Sequence, residues 1–250
     1  MVTCWQYLRR TSAIFILILS AVSARADLAQ DLLKASDRAR GSLERGLEWE
    51  SEVTTVEEGE TSVRRFRVRA REVDAHVEAL QPSRNKGEIY LFNDRTMWFF
   101  KPALRKPVAI SARQKLTGQA AIGDIASTHY ARDYTPTLEK TETLEGQKVY
   151  VLMLKAKATN LTYDQIRYWI RDRDRLAIKA EFLTLQGQPF KRATLDYQNK
   201  VSVDGKSYDF ISSMEIVDAQ FENQRSTIRY VNPRIQDHTS SLFNVNNLKR

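Results

Sequence analysis

The chain has 250 residues, 42% hydrophobic and 28% charged, with a formal net charge of +8. That length holds a full core within one all-β domain, and the composition excludes collagen-like, low-complexity and disordered classes. A single cysteine excludes a disulfide framework.

The N-terminus reads as a secretory leader. MVTCWQYLRR ends in Arg9 and Arg10, and TSAIFILILSAVS follows without a charge. Ala24-Arg25-Ala26 then places small residues for cleavage after Ala26. The apolar run has 13 residues, too few for a membrane span, which needs roughly 20. The expected organisation is a cleaved leader over 1–26 and one domain over 27–250. Cys4 leaves with the leader. The mature chain then has no disulfide, thiol nucleophile or thiolate metal site. The leader carries three arginines and no acid, so the net charge falls to +5. Export argues against nucleic acid, and the basic residues are spread rather than blocked. They suit anionic headgroups or an acidic partner, or simply a solvated surface.

From Asp27 to Arg45 the spacing predicts a helix. Leu28, Leu32, Leu33 and Ala35 share a face, Asp27 serves as N-cap, and Gly41 and Gly46 mark the end. The period then changes toward 2. SVRRFRVRAR sets Phe66, Val68 and Ala70 against Arg65, Arg67, Arg69 and Arg71. Similar runs carry Leu91, then Trp98 and Phe100, then Tyr150 and Leu152. Further runs carry Ile166 and Tyr168, Ile178 and Phe182, and Phe210 and Met214. Asn93-Asp94, Glu145-Gly146, Gln186-Gly187 and Asp204-Gly205 are turn signals. A short C-terminal helix is expected on Leu242, Val245 and Leu248.

These runs predict a mostly β protein: a meander of roughly ten antiparallel strands with few helices. A sheet so large, apolar on one face, curls and encloses an apolar concavity. An outer-membrane barrel has similar strands. Here, however, Arg, Lys, Glu and Asp fill the polar positions, no aromatic girdle is apparent, and the chain ends in Lys249-Arg250.

The segment from Gly87 to Tyr134 is the most distinctive. Trp98, Phe100 and Pro102 form an aromatic W-x-F-x-P strand. Arg105, Pro107 and Ser111 follow, then Gly118, Gly123 and Asp124 in a GxxxxGD pattern, then Tyr134. This series resembles the LolA-like family of exported outer-membrane lipoprotein-sorting proteins, in an uncharacterised branch associated with lipid-exporting permeases. The resemblance implies a half-open β-barrel of LolA/LolB type, a strongly curved antiparallel sheet covered by helices. It implies a non-enzymatic periplasmic carrier in a Gram-negative-type bacterium. Such a carrier shields a lipid or lipoprotein acyl chain on its way toward the outer membrane, with no cofactor. Its expected partners are an inner-membrane lipid-exporting permease or an outer-membrane acceptor, and the expected state is monomeric.

The expected cavity residues are Phe66, Val68, Leu91, Trp98, Phe100, Tyr150, Leu152, Ile166, Tyr168, Ile178, Phe182, Phe210 and Met214. The expected lid is the stretch carrying Leu116, Gly118, Ile122, Gly123, Asp124, Ile125 and Tyr134. Lys101, Arg105 and Lys106 form an expected rim. The lid segment reads equally as a mobile flap and as a static plug. Asp124 reads as the cap of a helix starting near Ile125. In the flap reading Asp124 and Asp133 hold the segment's ends, by caps or by ion pairs to Arg132 or to nearby strand arginines. Two other functions stay open: a sensor or adaptor that reports a lipid to a membrane partner, and an enzyme using Asp124, His129 and Asp133. His76, His129 and His238 are far apart in sequence, which argues against a metal centre.

Overall fold

A computed structural model describes residues 25–93, 96–126 and 128–248. The expected leader lies outside these residues, except for Arg25 and Ala26, which already belong to helix α1 (25–38). Asp27 is therefore inside the helix and is not its N-cap. Helix α1 buries Ala29, Leu32, Leu33 and Ser36 on one stripe, spaced as an amphipathic helix requires.

Among the described residues there are seventeen strands, more than the ten expected. The first six are β1 (Leu47–Glu57), β2 (Glu60–Arg71), β3 (Asp74–Gln81), β4 (Ile89–Asn93), β5 (Thr96–Phe100) and β6 (Val108–Ile110). A small hairpin follows, β7 (Lys115–Thr117) and β8 (Ala120–Ala121), and then a one-turn helix, α2 (Tyr130–Asp133). The second series is β9 (Tyr134–Leu144), β10 (Gln147–Ala156), β11 (Gln165–Arg171), β12 (Ala177–Leu183) and β13 (Pro189–Asp196). A separate hairpin, β14 (Asn199–Val203) and β15 (Lys206–Phe210), precedes β16 (Ser213–Asp218) and β17 (Arg225–Ile235).

Thirteen strands form one sheet in the order β6-β5-β4-β3-β2-β1-β17-β16-β13-β12-β11-β10-β9. All its pairs are antiparallel. It is two meanders joined at a central seam, where β1 pairs with β17 from Leu47↔Ile235 to Val56↔Arg225. The sheet is not closed, and its free edges are β6 and β9. This is the curling antiparallel meander that the alternating runs predicted, left open at its edges as the family resemblance implied. Residues 111–133 connect the two edges.

Alternation fixes which side chains point inward. On β2, Phe66, Val68 and Ala70 are at most 1% exposed. Their neighbours Arg65, Arg67 and Arg69 pair on the outer face with Glu52, Glu50 and Glu48 of β1. Helix α1 and the 111–133 segment cover the inner face. Leu33, Phe66, Ile125, Tyr168, Phe182 and Phe210 all belong to one buried cluster there.

The outer face is covered too. Two 3-10 turns, Ser240–Phe243 and Val245–Leu248, stand where a C-terminal helix was expected. They bury Phe243 and Leu248 against Leu91, Trp98 and Phe100. Leu91, Trp98 and Phe100 therefore do not line the concave side. The register explains why. Leu91 lies opposite His76 and Trp98, whereas Phe92 lies opposite Ala75 and Met97 and faces inward with them. Ile178 is a second correction. It packs outward with Val149, Val151 and Trp169. A register irregularity between Trp169↔Lys179 and Ile170↔Ala177 leaves Ile178 without a partner and inverts the parity there.

Candidate functional site

The site lies between the two free edges, beneath the segment that bridges them. That segment starts after β6, forms the β7–β8 hairpin, and makes a 3-10 turn over Ile122–Asp124. It then reaches α2 and enters β9. Leu116, Ala120, Ala121, Ile122, Ile125 and Ala126 are all at most 8% exposed. In this structure the lid is packed as a plug.

Its tip rests on the seam. Gly118 has φ +51°, and a Cβ there would lie 2.2 Å from Thr55 Cγ2 and 2.5 Å from Ser226 Oγ. Only glycine combines that backbone with that approach. Ser226 Oγ accepts from the Gln119 amide at 2.9 Å and shares a hydrogen bond with Thr55 Oγ1 at 3.1 Å. Arg64 Nη1 donates to the Leu116 carbonyl at 3.0 Å, and Lys191 Nζ to the Gln119 carbonyl at 2.6 Å.

Asp124 is buried at the centre of the lid. It caps no helix at Ile125, because the chain makes only the 3-10 turn there. One carboxylate oxygen instead accepts the Ala121 amide at 2.8 Å, and the Tyr163 hydroxyl donates to both oxygens at 2.8 and 3.0 Å. Burial raises the Asp124 pKa, and the nearby Lys191 charge opposes the rise. Burial in turn lowers the Lys191 pKa. Gly123 packs so closely that a Cβ would lie 2.1 Å from Thr162 Oγ1.

The second limb of the lid is stitched to α1. Asp37 Oδ2 accepts the Ala131 amide at 2.7 Å. Gln30 Nε2 donates to the Ala131 carbonyl at 2.8 Å, and Ser42 Oγ lies 3.0 Å from His129 Nδ1. Arg132 grips both oxygens of Asp133, at 2.8 and 3.0 Å, one of the ion pairs the sequence left open for the segment's ends. On the first limb Arg113 forms a bidentate pair with Asp164 at 2.6 and 2.8 Å.

Between lid and sheet lies a cavity of about 270 Å3. Ala75, Phe92, Met97, Ile110 and Ala112 give it an apolar wall. Arg40, Asp124, His129, Arg132 and Asp133 give it a polar one. A wider groove of about 690 Å3 shares Val73, His129 and Arg132 with it and carries Lys34, Arg38, Arg45, Glu44 and Glu72. The site is therefore an apolar slot opening beside a charged vestibule. Its size sits just below the usual range for small-molecule sites, about 300–1,000 Å3.

The structure places the expected residues in three groups. Gly123, Asp124 and Tyr134 line the cavity. Phe66, Val68, Leu152, Ile166, Tyr168, Phe182, Phe210 and Met214 belong to the solid core beneath α1 and the lid, with Tyr150 half-buried at its margin. Lys101, Arg105 and Lys106 are exposed in the β5–β6 connection.

Asp124, His129 and Asp133 do reach one cavity, but Tyr163, Ser42 and Arg132 engage them. Burial, with the neighbouring Arg132 charge, lowers the His129 pKa to about 4. His129 is then neutral near pH 7 and a weak base. Among the described residues no group of three His, Cys, Asp or Glu side chains could hold a metal ion. No helix there is long and apolar enough to cross a membrane.

Sequence reasoning missed the buried polar groups at the end of α1 and in the turn that follows it. Asp37 and Arg40 continue the stripe of Ala29, Leu33 and Ser36 at spacings of three and four. Charged residues on a buried helical face were the signal.

A family model described only as "-like: Uncharacterized protein" matches residues 71–250. No curated protein matches the chain. A LolA superfamily protein from Nitrosomonas europaea is 25% identical in sequence. The match covers 86% of this chain and 97% of that one, with a TM-score of 0.77. A putative outer membrane lipoprotein-sorting protein domain from Vibrio parahaemolyticus is 23% identical over 90% of this chain and 100% of that one, with a TM-score of 0.75.

Proposed function

Because the chain belongs to the LolA-like superfamily, we propose that it is a non-enzymatic periplasmic carrier that shields an acyl chain between membranes. The observation behind this reading is the amphipathic cavity under a lid that bridges both free edges of the sheet. An apolar chain laid against Phe92, Met97 and Ile110 leaves water at roughly 25 cal/mol per Å2. The cavity takes only part of a long chain at about 270 Å3. For comparison, a cavity of about 150 Å3 holds benzene. Loading a longer chain therefore requires the lid to lift, and Leu116, Ile122 and Ile125 then cede their places to the cargo. Transfer follows differences in affinity between donor, carrier and acceptor. A membrane permease or an outer-membrane acceptor fits as the partner, and the exposed Lys101, Arg105 and Lys106 are a contact surface for it.

The test is native mass spectrometry of the protein purified from its exported location, followed by organic extraction. A stoichiometric acylated species is the expected result. A clean apo mass, with no uptake when membranes are offered, overturns the carrier reading.

A further inference from the structure

Arg40 is 5% exposed and lines the cavity. Nη1 donates to the Tyr168 hydroxyl at 3.0 Å, and Nη2 points to the Met214 sulfur at 3.6 Å. The Tyr130 ring centre lies 5.2 Å from the guanidinium carbon. Nε is buried without a hydrogen-bond partner. Among the described residues, no carboxylate oxygen lies within 4.0 Å of its nitrogens. Two more buried atoms nearby lack partners, the Tyr197 hydroxyl and Asp37 Oδ1.

A guanidinium is always charged, and a buried charge with no carboxylate in contact costs several kcal/mol; Asp37 and Asp124 reach Arg40 only at longer range. Natural cores rarely keep one. The neutral tyrosine hydroxyls and the thioether only partly replace water. Beyond the contacts with Tyr168, Met214 and Tyr230, a guanidinium keeps further N–H groups in a fork geometry of the kind that fits a planar anion. The apolar wall of Phe92, Met97 and Ile110 belongs to the same small cavity. The volume suits one chain rather than two.

We propose that the cavity binds a single-chain amphiphile with an anionic head. The head pairs with Arg40, and the chain lies against Phe92, Met97 and Ile110. This rests on the carrier reading and names the class of cargo. The anion is either a free carboxylate or the phosphate of a lipid head, and both match the guanidinium fork.

The experiment uses the delipidated mature protein and three probes of equal chain length: dodecanoate, dodecyl phosphate and 1-dodecanol. Each competes with a bound fluorescent apolar dye. Both anions, or the one that matches the native head, should displace the dye at about tenfold lower concentration than the alcohol, as expected for a charge-assisted hydrogen bond. The tighter anion identifies the head. In Arg40→Met the advantage should vanish while the alcohol binds as before, and Arg40→Lys should restore part of it. The wild-type comparison needs no variant, so misfolding of Arg40→Met leaves the test intact. Equal binding of all three probes by the wild type overturns the Arg40 assignment and leaves the carrier reading standing. Failure of all three to bind overturns both.

Discussion

Replacing Asp37 by Asn tests the buried link between α1 and the lid. Asp37 is 2% exposed. One oxygen accepts the Ala131 amide at 2.7 Å, and the other has no partner. Burial raises its pKa from 3.8 to about 7, against the lowering pull of the Ala131 amide and Arg40. Between those values the folded protein holds a proton that the unfolded chain releases. The unfolded state then binds fewer protons, so stability falls as pH rises through that window and is level above about 7. At 1.36 kcal/mol per unit the whole effect is about 4 kcal/mol. Roughly 3 kcal/mol of it falls between pH 4.5 and 7.5. His76 and His129, both lowered to about 4 by burial, act with the opposite sign. They are common to both proteins and cancel in the difference. Asp37→Asn keeps an oxygen for the Ala131 amide and cannot ionise. Urea unfolding of both proteins at pH 4.5, 5.5, 6.5 and 7.5 should show the variant gaining about 3 kcal/mol on the wild type across the series. Parallel stability curves would refute the reasoning, because they would mean that Asp37 does not change its charge in this range.

Gly118→Ala forces a side chain into left-handed backbone and into Thr55, and should destabilise the protein by about 3 kcal/mol, seen as a lower Tm. Phe243→Ala removes a ring from the outer-face cover, and should cost about 3 kcal/mol while leaving lipid uptake unchanged. Arg113→Gln breaks the bidentate pair with Asp164, which is about one-third exposed. It should cost only about 0.5–1 kcal/mol, an effect that 1 M salt erases, and lipid exchange measured by dye displacement should be faster.

The sheet was legible where one face of a strand is apolar. The Phe66-Val68-Ala70 stripe against four arginines gave both strand and orientation, because outward arginines meet glutamates on β1. Orientation was lost where both faces are buried. IYLF and MWFF are apolar at every position, so alternation carries no signal there. The cover over Leu91 and Trp98 comes from residues about 150 positions later in the chain. Ile178 was lost to an irregular register that no local pattern announces. The lid was legible as an interruption, and its glycines mark where it touches Thr55 and Thr162. Arg40 and Asp37 went unread because ionisable residues near a helix end look solvated until Tyr168, Met214 and the lid close over them.

The seam between β1 and β17 bears on how the molecule forms. Its outermost pair, Leu47↔Ile235, joins residues near opposite ends of the chain. The two strands at the middle of the sheet are thus the first and the last of the described strands. Neither meander can acquire its inner neighbour until almost all of the polypeptide is present. Closing so long a loop costs entropy that no local turn repays, and contacts this remote slow a folding reaction. A chain truncated before Arg225 leaves β1 with a bare row of backbone donors and acceptors, where a second molecule can add a strand. Completeness at the C-terminus therefore protects this protein from its own copies.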